Sequence, residues 1–270
     1  MCPFDMSKEI DFTDFRKPDH SLKPATWDQT FVFDIETMGD HKKTLQFGKP
    51  YPNFQEPKYG NTKDPDKRRA FRELKYKEWE EGEADWWNKQ HDRSALSAVT
   101  GRVVAIGYLF PYAGTTENNL WDMMHIEGLT DVGNHDIEEA RILADFWSRF
   151  SSATHSYGHV IGHNIEEFDL KFLIQRSWQL NVPVCPTVFN GRYYHKNVVD
   201  TMRVWTLRGF QQMISLNNLS MILGVGKKLD NYEATQFAKD YLSGDKDTAE
   251  YYLKNDLDLA YKCYSKMYKL

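Results

Sequence analysis

The chain has 270 residues, 41% of them hydrophobic and 27% charged, with a formal net charge of −5. That length suits one large domain, or one domain with a sizeable insertion, and a mean hydropathy of −0.66 argues against a membrane protein. No stretch approaches the roughly 18 apolar residues of a spanning helix, and a net negative chain must bind any nucleic acid through local patches. Cys2, Cys185 and Cys263 are scattered and match neither a disulfide framework nor a zinc spacing, which predicts a reducing, cytoplasmic setting. The start, MCPFDMSKEIDF, lacks the basic-then-apolar pattern of a secretory leader.

Residues 1–29 are polar and aperiodic and read as an N-terminal arm. A strand follows at 30–36, and a long polar insert runs from about 39 to 100. RVVAIGYLF (102–110) is a second strand and NLWDMMHIE (119–127) a third. DIEEARILADFWSRFSS (136–152) has helical apolar spacing, with Asp136 expected as its N-cap. HVIGHN (159–164) reads as a short buried strand, EEFDLKFLIQRSWQL as a helix and NVVDT (197–201) as a fifth strand. The last seventy residues are mainly helical, with glycine breaks near 224–226 and 244. This order predicts an α/β domain over 30–270. Three antiparallel strands and two parallel ones would form a central mixed five-stranded sheet flanked by helices, the first strand lying in its middle.

The first strand carries a contradiction. FVFDIETM (31–38) looks built for an interior, yet holds Asp34 and Glu36 on one face, since residues i and i+2 of a strand point the same way. Buried carboxylates need a partner or a metal. GHNIEEFDLKFL (162–173) adds Asp169 at a strand-to-helix junction, where an acid can equally serve the helix terminus. YYLKNDLDLAYKCY (251–264) adds Tyr252 and Asp256, one helical turn apart. Taken together, the four acids offer enough oxygen ligands for two hard divalent cations, which can support phosphoryl displacement.

The ordered trio DIET (34–37), NIEEFD (164–169) and YLKND (252–256) resembles the three motifs of DEDD-type 3′–5′ exonucleases, D-x-E, N-x-x-x-F/Y-D and Y-x-x-x-D. HNIEEFD is similar to the second motif in the proofreading domain of family B DNA polymerases. SLNNLSMILGVGKK (215–228) looks like the segment before the third motif in stand-alone bacterial and phage relatives. The resemblance implies an RNase H-like fold, two Mg²⁺ or Mn²⁺ ions and removal of nucleotides from a 3′ end. Asp34, Glu36, Asp169 and Asp256 would be metal ligands, and Tyr252 would position or activate water. The position five residues before the last acid is Tyr251 rather than His, which places the chain in the Tyr branch.

Around this centre, Thr37 and Met38 are expected at the terminal nucleotide, with simple strand-exit packing as the alternative. Asn164 suits a substrate or supporting hydrogen bond, with a turn-stabilising role as the alternative, and Phe168 a place in the core beside the site, with base stacking as the alternative. Asp200 is expected to cap a helix or to support the centre. His163, without a His or Cys cluster, is not expected to bind zinc. Lys227 and Lys228 could meet a phosphate or form a solvated loop. The insert segment 58–79 carries eight Lys/Arg against four Asp/Glu, with Phe71, Leu74 and Trp79 spaced for a helix docked on the domain; the alternative is that its cations follow phosphates while its aromatics stack bases. Single-stranded DNA is the expected substrate and RNA the alternative, with a polymerase or another replication or repair protein as a conceivable partner. Competing readings are an RNase H-like endonuclease and a non-catalytic nucleic-acid-binding module.

Overall fold

The computed structural model describes residues 30–111, 119–130, 133–156, 158–189, 196–209 and 213–268. The arm expected at 1–29 lies outside them. Five strands form one mixed sheet in the order β3-β2-β1-β4-β5. They are β1 (Phe31–Gly39), β2 (Gly101–Leu109), β3 (Met124–Gly128), β4 (Val160–Gly162) and β5 (Val198–Asp200). β1 pairs antiparallel with β2 and parallel with β4, so it sits in the middle, as its apolar alternation predicts. The protein is thus α/β, with helices on both sheet faces. Among the described residues no helix is long and apolar enough to cross a membrane.

The period-2 alternation of β1 divides the core. Phe31, Phe33 and Ile35 enter one cluster with Phe146 of α3 (His135–His155) and Leu170 and Leu173 of α4 (Asp169–Gln179). Val32 enters the opposite cluster with Leu257 of α8 (Lys246–Tyr268) and Leu219 of α6 (Leu216–Leu223). Asp34 and Glu36 share the face of Val32 and therefore look toward α8. Leu253 and Leu257 are fully buried beneath them, each burial worth about 1.5–3 kcal/mol. Gly107, directly opposite Asp34 in the β1–β2 ladder, allows this approach. A Cβ there would stand 2.9 Å from Leu253 and 3.0 Å from Leu257.

α3 begins two residues earlier than an Asp136 cap would start it, because Asn134 rather than Asp136 accepts the first-turn amides, from Asp136 and Ile137. Asp136 lies in the first turn, where its charge still favours the helix dipole. The third strand is shorter than expected, since Trp121–Met123 form a 3-10 turn before it. The short α5 (Thr201–Trp205) follows β5. α6 ends at Gly224 in the left-handed region (φ 67°), and α7 (Ala234–Ser243) is followed by Gly244, matching the glycine breaks.

The insert departs most from expectation. It contains α1 (His41–Phe47) and the 30-residue α2 (Pro65–Ser94), whose N-cap Asp64 accepts from the Asp66 and Lys67 amides. Only Ser94, in the last turn, is buried on α2. The helix therefore docks by its end and not along its face. Its aromatics are covered instead by the extended segment 48–64. Tyr51 stacks on Trp79 at 5.4 Å, Phe54 meets Tyr76 at 5.2 Å and Tyr59 meets Phe71 at 6.3 Å. That strap shields the stripe only in part, since Phe71, Leu74 and Tyr76 stay 39%, 53% and 40% exposed.

Candidate metal centre

Asp34, Glu36 and Asp256 each offer a carboxylate oxygen, and these three atoms all lie within 4.8 Å of one another. Glu36 and Asp256 are buried and Asp34 is partly so. β1 supplies the first two at fixed spacing, just before a register shift in the β1–β2 ladder between Glu36 and Thr37. Such bulges commonly re-aim side chains beside functional sites. α8 supplies Asp256, with Tyr252 one turn before it on the same face.

Asp169 is the fourth acid and stands on the flank of this triad. It is buried at the first position of α4, but its carboxylate does not cap that helix. Oδ1 accepts from the Ile35 amide at 3.2 Å, between Asp34 and Glu36 on β1. The loop leading to it is clamped by Asp200, which accepts from the Asn164 amide at 2.9 Å and the Glu166 amide at 3.0 Å. Asp200 also caps α5, accepting from Met202 and Arg203. Asp200 is thus the expected helix cap, and the same carboxylate holds the loop that leads to Asp169.

The electrostatics are those of a charge deficit. Burial, then Asp256, pushes the Asp34 carboxyl up to about 7, with Lys228 and a backbone amide opposing. Glu36 is raised well above its ordinary range by burial and by Asp34 and Asp256, and Asp169 by burial and by Asp34. Asp256 is raised by burial, while Lys228 and the Tyr252 hydroxyl hold it back. Its Oδ1 is buried and has no hydrogen-bond partner. An unsatisfied buried carboxylate oxygen is costly and calls for an explanation such as an ion.

Among the described residues one cation faces this cluster. Lys228 Nζ lies 2.5 Å from Asp256 Oδ2 and 3.4 Å from the Tyr252 hydroxyl, and 5.3 Å from the centre of the Tyr252 ring. Its own amide donates to Asn217 Oδ1 at 2.9 Å, fixing the loop that carries it. The sequence offers Lys227 and Lys228 as equals, but Lys227 is exposed and pairs with Asp230. Burial, then the nearby carboxylates, pushes the Tyr252 phenol far up, so it is a protonated donor at neutral pH.

Thr37 and Met38 line a cleft of about 530 Å³ that begins at Glu36 and is closed by His91 and Leu96 from the insert and Leu242 of α7. The Thr37 hydroxyl is already committed, donating to the Ala95 carbonyl at 2.7 Å. Asn164 adopts a left-handed conformation (φ 63°), and its buried Oδ1 has no partner. Phe168 packs against Phe172 at 5.7 Å and borders the core. His163 is satisfied by Thr201 and the Ile214 carbonyl, both at 2.9 Å, so its role is structural.

No family model matches the chain, and no curated protein matches it.

Proposed function

We propose that this chain is a metal-dependent 3′–5′ exonuclease of RNase H-like fold, hydrolysing the terminal phosphodiester of nucleic acid, single-stranded DNA foremost. The observation that carries this reading is the meeting of Asp34, Glu36 and Asp256 within 4.8 Å, one of them with a buried unpartnered oxygen. An all-oxygen, all-carboxylate donor set fits a hard cation such as Mg²⁺ or Mn²⁺. Asp34, Glu36 and Asp256 would hold the ions, with Asp169 beside Asp34. When bound, two such ions supply Lewis-acid stabilisation and acidify water for in-line displacement.

The chain's own groups do the rest. Tyr252, kept protonated, orients the attacking water as a hydrogen-bond donor. Lys228 places a positive charge next to Asp256 and Tyr252. The cleft at Thr37 and Met38 receives the terminal nucleotide, and its volume lies in the roughly 300–1,000 Å³ range of small-ligand sites. Asn164 Oδ1 is an acceptor left for the substrate. Phe168 supports that loop from the core side. The sheet order and the central β1 support the RNase H-like assignment.

A 5′-labelled single strand should yield a descending ladder with Mg²⁺ or Mn²⁺ and nothing in excess EDTA. A 3′-terminal phosphate should slow the first cut. Parallel digestion of RNA and duplex DNA ranks the substrates. Cleavage of a circular single strand, or full activity in EDTA, overturns the proposal, and a chain that binds but cuts nothing is a binding module.

A further inference from the structure

We infer that α2 and its strap form an outrigger whose far end grips the phosphate backbone of a nucleic-acid strand held by its 3′ end at the carboxylates. The inference rests on the exonuclease reading for the substrate, but on separate residues for its evidence. Residues 58–77 carry eight Lys/Arg against three Asp/Glu, whereas 78–92 carry one against six. The terminal turns follow the helix dipole, with Asp66 in the first and His91 and Arg93 in the last, but the turns between them invert that arrangement. The first two turns of α2 nevertheless gather Lys67, Arg68, Arg69 and Arg72. The inversion concentrates positive potential at one end of a chain whose net charge is −5.

The surface there suits a polyanion better than a protein partner, whose interface cores are depleted of charge. The strap already covers much of the aromatic stripe and leaves the cations outside. Arg68 and Arg72 hold the strap, the first lying 5.5 Å from the Tyr59 ring centre and the second pairing with Glu56 at 2.9 Å. Lys63 and Lys67 make no ion pair among the described residues. Arg69 pairs only with Asp66, at 3.3 Å and with both side chains more than two-thirds exposed. Exposed pairs of that kind are worth little and exchange readily for phosphate.

Geometry gives a ruler. From Lys67 to Ser94, where the helix meets the domain, α2 spans about 40 Å at 1.5 Å per residue. A strand stacked at about 3.4 Å per nucleotide needs about 12 nucleotides to cover that distance. Short oligonucleotides can therefore occupy the carboxylate end without reaching the tip. The acidic half of α2 lies between and repels the backbone, so the contact is bipartite.

The test is equilibrium binding of fluorescent 30-nucleotide and 6-nucleotide single strands, in EDTA, to wild type and to the triple variant Lys63→Ala/Lys67→Ala/Arg69→Ala. These exposed positions leave Arg68, Arg72 and the strap in place, and circular dichroism should be unchanged. For the 30-mer, three lost contacts should lower the log–log salt slope by about 2 and weaken binding about tenfold. Binding of the 6-mer should not change. Equal affinity of wild type and variant for the 30-mer, or equal losses on both lengths, overturns the outrigger even if hydrolysis is normal. A wild type that shows this length-dependent loss yet never hydrolyses supports the outrigger and overturns the exonuclease reading alone.

Discussion

Two of the groups of buried charge among the described residues are built on opposite terms. In the first, Glu139 of α3 meets Arg176 of α4 with both side chains wholly inaccessible. The pair is bidentate, at 2.8 and 2.7 Å, and Glu139 also accepts from the Val103 amide at 2.9 Å while Arg176 donates to Gln179 at 2.7 Å. Charge is balanced and donors are used. In the second, Asp34, Glu36, Asp169 and Asp256 face one another with Lys228 as the nearest compensation described. The fold can close a buried charge completely, so the open set at the end of β1 is a property of that place and not of a loosely built protein. A balanced pair holds helices together, whereas an unbalanced set could hold a cation.

Asp34→Ala should give the largest effect, removing nearly all hydrolysis and most of the melting-temperature rise that Mn²⁺ produces in wild type. A variant that keeps both would reduce the carboxylate set to a second structural cluster. Tyr252→Phe should follow, lowering turnover about 10²–10⁴-fold, the usual worth of a positioned proton-transfer group. Folding and the Mn²⁺ response should survive. Tyr251, half exposed and tilted against Trp121 with ring centres 5.0 Å apart, is the control. If Tyr251→Phe is the crippling change, the site has been assigned to the wrong helical face.

Glu139→Ala tests the other side of the comparison. It strands Arg176 without its counter-charge and should destabilise by about 3–5 kcal/mol in urea unfolding, with the Mn²⁺-induced shift intact in the folded fraction. A loss below 1 kcal/mol would mean that the balanced pair is ornamental.

The smallest effect concerns pH. Carboxyls raised in the folded state bind protons more tightly than in the unfolded chain, so their stability contribution is full below the unfolded value and lost as pH climbs through the folded one. For Asp34 that window runs from 3.8 to about 7. In EDTA the melting temperature should therefore fall across it, and Mn²⁺ should flatten the slope. Lys228→Met, keeping the stem but not the charge, should steepen the slope in EDTA and increase the response to Mn²⁺. A rise of metal-free stability through the window, or a weaker Mn²⁺ response in the Lys228 variant, contradicts the charge-deficit picture.

Much of this was legible beforehand, for physical reasons that differ from residue to residue. The alternation of Phe31, Val32 and Phe33 specifies a two-sided central strand, and the i, i+4 spacing of Tyr252 and Asp256 specifies a shared helical face. Both periodicities are local, so the chain displays them without its fold. The placement of Lys228 is not local. It depends on the Asn217 side chain holding a loop eleven residues away in sequence, and Lys227 beside it has the same chemistry and the opposite environment. Asp169 is ambiguous in the sequence because a helix-start acid and a metal-site acid look alike there, and only the fold sets its carboxylate against the Ile35 amide. The apolar spacing of α2 was seen correctly, but spacing cannot say whether a sheet or a neighbouring strap will cover it.

Gly107 has a further consequence. Leu253 and Leu257 bear on its vacant Cβ position, and they alternate along α8 with Tyr252 and Asp256. The helix is stiff, so its phenol and its carboxylate move as one piece, and their mutual spacing is insensitive to the sheet. Their joint height above Asp34 and Glu36 is set by a missing methyl group on a strand that contributes no reactive atom. Gly107 thus sets how closely α8 approaches the carboxylates of β1, and a side chain there would shift Tyr252 and Asp256 while leaving every chemical group in place.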